Sequence, residues 1–183
     1  MDRRWDLSQA SFLVIDDNIH MRSILRSIVS GFGVRQIFEA NDGADGLEIV
    51  LDRAPNFILL DWVMAPVSGA DFIKILRAEK NEVINTIPVI VVSAHSRKNT
   101  IVEAVKLGAH GFIAKPVSPM VLYDRIADVL HKQSLHGPSK GIFHRPLKKP
   151  RQVLDVANQS GTKTGSRLEQ SAEDWNSLSM TLL

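Results

Sequence analysis

The chain has 183 residues, 44% of them apolar and 23% charged, with a formal net charge of +2. This is the composition of one globular domain with an appendage, and it is not basic enough to point to nucleic acid. There is no cysteine, which removes disulfides, thiolate metal sites and cysteine nucleophiles.

No apolar run approaches the roughly 20 residues of a membrane-spanning helix, and MDRRWDLSQ lacks a signal peptide's apolar stretch. A cytoplasmic protein with no membrane insertion is expected. Past an expected N-terminal arm (1–8), short β-branched runs alternate with longer stretches of helical spacing. SFLVID reads as the first strand. In MRSILRSIVSGF the residues Met21, Ile24, Leu25, Ile28 and Val29 share a helical face, and Gly31 and Gly33 are stop signals. The alternation continues through RQIFEA, ADGLEIVLDRA, NFILLD, GADFIKILRAEK, PVIVVSA, NTIVEAVKLGA, GFIAK and SPMVLYDRIADVLHKQ. Pro119 falls in a first turn, where it is tolerated.

Strict alternation requires crossover connections, hence a parallel sheet covered by helices on both faces. FILL and VIVV are the near-continuous apolar runs of strands buried on both sides. The expected fold is α/β: a flavodoxin-like (βα)5 doubly wound parallel sheet, strand order 2-1-3-4-5, over residues 9–133. From Ser134 the composition shifts to Gly, Pro, Ser, Thr and Asn, with 7 Lys/Arg against 4 Asp/Glu. Residues 134–183 therefore read as a largely disordered, flexible tail. Within it Leu168, Ala172, Trp175, Leu178 and Leu182 recur at helical spacing, which would suit a short helix near 168–182 that docks on a partner or on the domain's own face.

Ligands of open α/β sheets bind beyond the carboxyl ends of the strands. There the first strand ends in Asp16 and Asp17, the third in Asp61, the fourth in Ser93 and the fifth in Lys115. Three carboxylates are not balanced by one ammonium, so a cation is demanded. Oxygen-only donors, few in number, suit Mg²⁺ better than Ca²⁺. A metal beside Asp61 would draw in a phosphoryl donor and let the carboxylate attack phosphorus, while Lys115 and the Ser93 hydroxyl hold phosphoryl oxygens.

VIDDN, LLDWVM with Gly69 eight residues after Asp61, VVSA and GFIAKP, in this order and at these spacings, resemble the receiver domain of two-component response regulators. The resemblance implies that Asp61 is the phosphoacceptor, with Asp16, Asp17 and the Val63 backbone carbonyl as further Mg²⁺ ligands. It implies Lys115 as the phosphate-binding lysine, Ser93 as the switch hydroxyl, Phe112 as the switch aromatic and a cis bond before Pro116. The implied partners are a histidine kinase or phosphotransfer protein, and a downstream protein contacting the face of the fourth helix, fifth strand and fifth helix. The chain would be a stand-alone bacterial receiver, a regulator rather than an enzyme on external substrates.

Two features depart from the family pattern. The order Met64, Ala65, Pro66 replaces an immediate Met-Pro. Val63 and His95 occupy the positions, two after Asp61 and two after Ser93, that tune dephosphorylation: Val63 cannot orient water, whereas an imidazole can. Val63 also counts against the alternative of a phosphohydrolase with Asp61 as nucleophile, whose sites usually carry a second acid there. A second alternative makes the basic tail, with HRPLKKPRQ, the output toward nucleic acid or a signalling enzyme.

Overall fold

The structure, a computed structural model, describes residues 5–136, with side chains through Lys132. The tail beyond, including the helix expected near 168–182, lies outside the described residues. Five strands, β1 (Ser11–Ile15), β2 (Gln36–Ala40), β3 (Phe57–Asp61), β4 (Val89–Ser93) and β5 (Gly111–Ala114), form one parallel sheet. Its order is β2-β1-β3-β4-β5, the flavodoxin-like order expected for five strands in a domain of this size. The helices are α1 (Ile19–Gly31), α2 (Gly43–Arg53), α3 (Gly69–Ala78), α4 (Glu82–Asn85), α5 (Lys98–Lys106) and α6 (Pro119–His136). Among the described residues, no helix is long and apolar enough to cross a membrane.

The strand residues alternate between two cores, as a period of two requires. Phe12, Val14, Phe57, Leu59, Ile90 and Val92 pack with Leu25 and Val29 of α1 and with Leu122 and Ile126 of α6. Leu13, Ile15, Ile58, Leu60, Val89 and Val91 pack on the other face with Val50 of α2, Phe72 and Leu76 of α3 and Ala104 of α5. Five helices start on side-chain caps: Asn18 accepts from the His20 and Met21 amides, Asp42 from Ala44 and Asp45, Ser68 from Asp71, Asn81 from Val83 and Ser118 from Val121. Each cap satisfies amides that a first turn leaves without partners.

Three details differ from the expectation. Residues 5–8 of the expected arm pack onto the domain: Leu7 is buried in the first core, Trp5 lies against it, and the Trp5 amide donates to the Tyr123 hydroxyl at 2.7 Å. The buried stripe of α1 is Arg22, Leu25 and Val29, while Ile24 is half exposed. The helix is turned so that an arginine, not an isoleucine, faces inward. The single turn α4 was not expected; it fits between α3 and β4, capped by Asn81 accepting from the Val83 amide at 2.9 Å.

Arg77 of α3 holds the loops at the amino ends of β4 and β5. Its guanidinium donates to the carbonyls of Asn85 at 2.7 Å, Ile87 at 3.0 Å and Gly108 at 2.9 Å. Burial pulls its pKa down to about 10, which still leaves it charged near neutrality. Arg77→Met keeps the stem but leaves these carbonyls without their donor. It is expected to lower the unfolding free energy by about 2–3 kcal/mol in a urea titration.

Candidate functional site

Period-two alternation carries beyond the strands to the residues that follow them. Asp16 continues the Phe12, Val14 side of β1, Asp61 the Phe57, Leu59 side of β3, and Lys115 the Ile113 side of β5. All three side chains therefore leave the sheet on one side at its carboxyl end. β1 and β3 are the neighbours at which the strand order switches direction, where such folds open a crevice.

The crevice holds a charge cluster. The Lys115 Nζ lies 2.8 Å from Asp16 Oδ2 and 3.2 Å from Asp61 Oδ2. Asp16 is fully buried, Asp61 is 7% exposed, and Asp17 is open to solvent. One oxygen from each of the three carboxylates lies within 4.8 Å of the other two. The second oxygen of each buried acid is met by backbone: Asp16 Oδ1 accepts from the Asn18 amide at 3.0 Å, and Asp61 Oδ1 from the Trp62 amide at 2.7 Å.

Burial raises the pKa of Asp61 above the ordinary carboxylate value; Lys115 opposes the rise and the charge of Asp16 adds to it. Burial also pulls on Lys115, but its hydrogen bond to Asp16 and the charges of both acids outweigh the pull and hold its pKa up. With Lys115 charged and the acids ionised, the cluster is two charges short of neutral. Convergent hard oxygens with that deficit fit a small divalent cation, and Asp16, Asp17 and Asp61 could hold one.

The remaining expected residues surround this cluster. Ser93 is fully buried, and its hydroxyl accepts from the His95 amide at 3.1 Å. The Lys115 amide donates to the Ser93 carbonyl at 2.9 Å, tying the ends of β4 and β5 together. Phe112 is partly buried, pairs with Val91 in the sheet and packs on the second core. Val63 and His95 are exposed loop residues, so Val63 can offer the site a backbone carbonyl but no polar side chain.

The Lys115–Pro116 bond is cis, as the resemblance implied, and the Ala65–Pro66 bond is cis as well. Gly69 is where the loop after Asp61 closes onto α3: its amide donates to the Trp62 carbonyl at 3.1 Å, and an added Cβ would meet the Trp62 Cα at 2.9 Å. Only glycine fits that approach without displacing backbone.

The sequence reasoning missed Arg22. It is buried, and its Nη1 donates to the Asp16 carbonyl at 2.7 Å. Arg22 stands at spacings of three and four from Leu25 and Val29 on the stripe that the structure buries, but a cationic side chain gives the hydrophobic pattern no signal there.

The profile of the response regulator receiver domain matches residues 12–127. The chain is similar to the chemotaxis protein CheY of Pseudomonas aeruginosa, 29% identical over 120 residues that cover 66% of this chain and 95% of the relative. It is similar to a chemotaxis protein CheY homolog of Campylobacter jejuni, 30% identical over 129 residues that cover 70% and 98% respectively. Among solved structures, the Vibrio cholerae chemotaxis protein CheY4 matches with a TM-score of 0.61 at 23% identity, covering 66% of this chain and 98% of that one.

The raised pKa of Asp61 carries a sign for stability. An acid whose folded pKa exceeds its unfolded value favours the native state only while protonated, so ionised Asp61 destabilises the fold near neutrality. Asp61→Asn is expected to raise the thermal midpoint at pH 7 by a few degrees without metal. The gain should shrink as pH falls through the raised pKa, measured by thermal melts at stepped pH. Mg²⁺ should raise the wild-type midpoint more than the variant's.

Proposed function

The chain belongs to the response regulator receiver family, and from that premise we propose that it is a phosphorylation-controlled switch with Asp61 as phosphoacceptor. The observation that supports this most directly is the placement of Asp61. It ends β3 in the crevice, nearly buried, with the Lys115 ammonium 3.2 Å from one oxygen and two further acids beside it.

The proposed donor is the phosphohistidine of a histidine kinase or phosphotransfer protein. A carboxylate oxygen of Asp61 attacks phosphorus, the O–P bond forms as the N–P bond breaks, and the imidazole leaves with a proton from solvent. Mg²⁺, held by Asp16, Asp17, Asp61 and the Val63 carbonyl, would screen the charge of the incoming group. Lys115, already between Asp16 and Asp61, then has a phosphoryl oxygen to hold.

The Ser93 hydroxyl is the second group assigned to the phosphoryl oxygens, and Phe112 the aromatic that repacks when Ser93 moves. Both belong to the second face, two positions apart in the β4 register. The face read by a downstream protein is that of α5, β5 and α6, the fourth helix, fifth strand and fifth helix of the sequence analysis. It exposes Val102, Val105, Met120 and Val121. Phosphorylation acts on it as a population shift, because the phosphoryl group binds one arrangement better than the other.

Intact mass after incubation with acetyl phosphate and Mg²⁺ tests the assignment. Wild type should gain one phosphoryl mass and Asp61→Asn none; a gain in both would remove Asp61 from its role. With Val63 unable to orient water, the phosphorylated state is expected to last minutes or longer in Mg²⁺, with His95 acting in the opposite direction. Decay of the mass adduct within seconds would contradict that expectation.

A further inference from the structure

We infer that Arg22 is a positioning residue for the acid loop after β1, gripping the peptide that joins Asp16 to Asp17 and so setting where both carboxylates present their oxygens. The inference rests on the reading of these acids as metal ligands.

Arg22 stands one turn into α1, with its amide bonded to the Asn18 carbonyl at 3.0 Å and its side chain only 10% exposed. A guanidinium leaves water at a large cost unless it is well paired. The charge partner here is distant: Arg22 Nε is 3.8 Å from Glu39 Oε2 and makes no hydrogen bond. The other Glu39 oxygen is taken by Arg26 Nη1 at 2.6 Å. The short contact of the buried cation is instead Nη1 to the backbone carbonyl of Asp16, at 2.7 Å.

That carbonyl belongs to the peptide unit between the two acids. A peptide is planar, so holding its oxygen fixes the direction in which the chain leaves Asp16 and enters Asp17. Asp16 is thereby held at four points: its amide by the Ala40 carbonyl at 3.3 Å, its carbonyl by Arg22, Oδ1 by the Asn18 amide and Oδ2 by Lys115. Asp17 is exposed, and the orientation of that peptide decides where its carboxylate can reach. Glu39, beside Arg22, offsets the positive charge that would otherwise repel a cation at the acids.

Charge and position make opposite predictions. Were Arg22 felt only through its charge, Arg22→Met would tighten Mg²⁺, because a nearby positive charge is lost and Glu39 remains. Through position, the same change loosens Mg²⁺. The test titrates the full chain with Mg²⁺ alone, following the tryptophan emission in a Trp5→Phe, Trp175→Phe background that leaves Trp62, the indole next to Asp61, as the reporter. In parallel it measures the Mg²⁺ concentration that half-saturates labelling by acetyl phosphate.

Arg22→Met is expected to weaken Mg²⁺ by about 10- to 100-fold, the usual effect of removing a residue that orients a ligand. Labelling at saturating Mg²⁺ should return close to the wild-type extent. Arg22→Lys, keeping the charge and one donor, should fall between. Unchanged or tighter Mg²⁺ binding in folded Arg22→Met overturns the inference. Should that variant not fold, wild-type affinity in Arg22→Lys overturns it equally. A wild-type chain that takes neither Mg²⁺ nor a phosphoryl group would instead overturn the functional reading on which the inference stands.

Discussion

Lys115 between Asp16 and Asp61 is the interaction on which the rest of the site depends. Two buried carboxylates side by side repel each other in a medium that screens poorly, and each would be driven toward protonation without a cation nearby. One ammonium answers both, at 2.8 Å and 3.2 Å, and the Asn18 and Trp62 amides satisfy the remaining oxygens. Even so, Asp61 keeps a raised pKa, because its desolvation exceeds what Lys115 returns. The site is left short of positive charge, and that shortage is what a divalent cation would fill.

The sheet makes this arrangement possible at little local cost. Parallel strands end together at one edge, and alternation sends Asp16, Asp61 and Lys115 to the same side of it. The apolar residues preceding them, Val14, Leu59 and Ile113, are anchored in the core under α1 and α6. Their positions are therefore as rigid as the core. The loops contribute finer placement: Asn18 both caps α1 and donates its amide to Asp16, and Gly69 lets the chain after Asp61 turn closely against Trp62.

What was legible in the sequence follows the same division. The strands and their terminal residues were legible because a period of two and buried β-branched runs leave few alternatives; the alternation with helices implied a parallel sheet, while the strand order came only from the likeness in size and strand count to flavodoxin-like folds. Arg22 was not, because an arginine beside Met21 and Ile24 reads as the solvent edge of an amphipathic helix. Only the distance to the Asp16 carbonyl shows why the helix turns Ile24 outward instead. The single turn α4 was hidden for a related reason: four residues carry too little periodicity to register, and its place is set by Arg77 bonding carbonyls on either side of β4. Local pattern reports which face is apolar, whereas long side chains that bond backbone across elements leave no trace in it.

The proposed switch also acquires a direction from these contacts. A serine hydroxyl has one proton to donate and two lone pairs, so Ser93 can keep accepting from the His95 amide while donating to a phosphoryl oxygen. Movement of Ser93 toward Asp61 would then carry the start of the β4–α5 loop with it. The loop leads to the weaker end of α5, which begins at Arg97 without a side-chain cap and has no acid in its first turn, so a cationic residue faces the positive end of the helix dipole. At the far end, Gly108 is held by Arg77 and the Leu107 amide by the Glu103 carbonyl at 2.9 Å. In the proposed switch, a displacement entering α5 from Ser93 would meet an uncapped helix end where it arrives and the Arg77-bonded Gly108 carbonyl at the opposite end, so α5 would swing about that end.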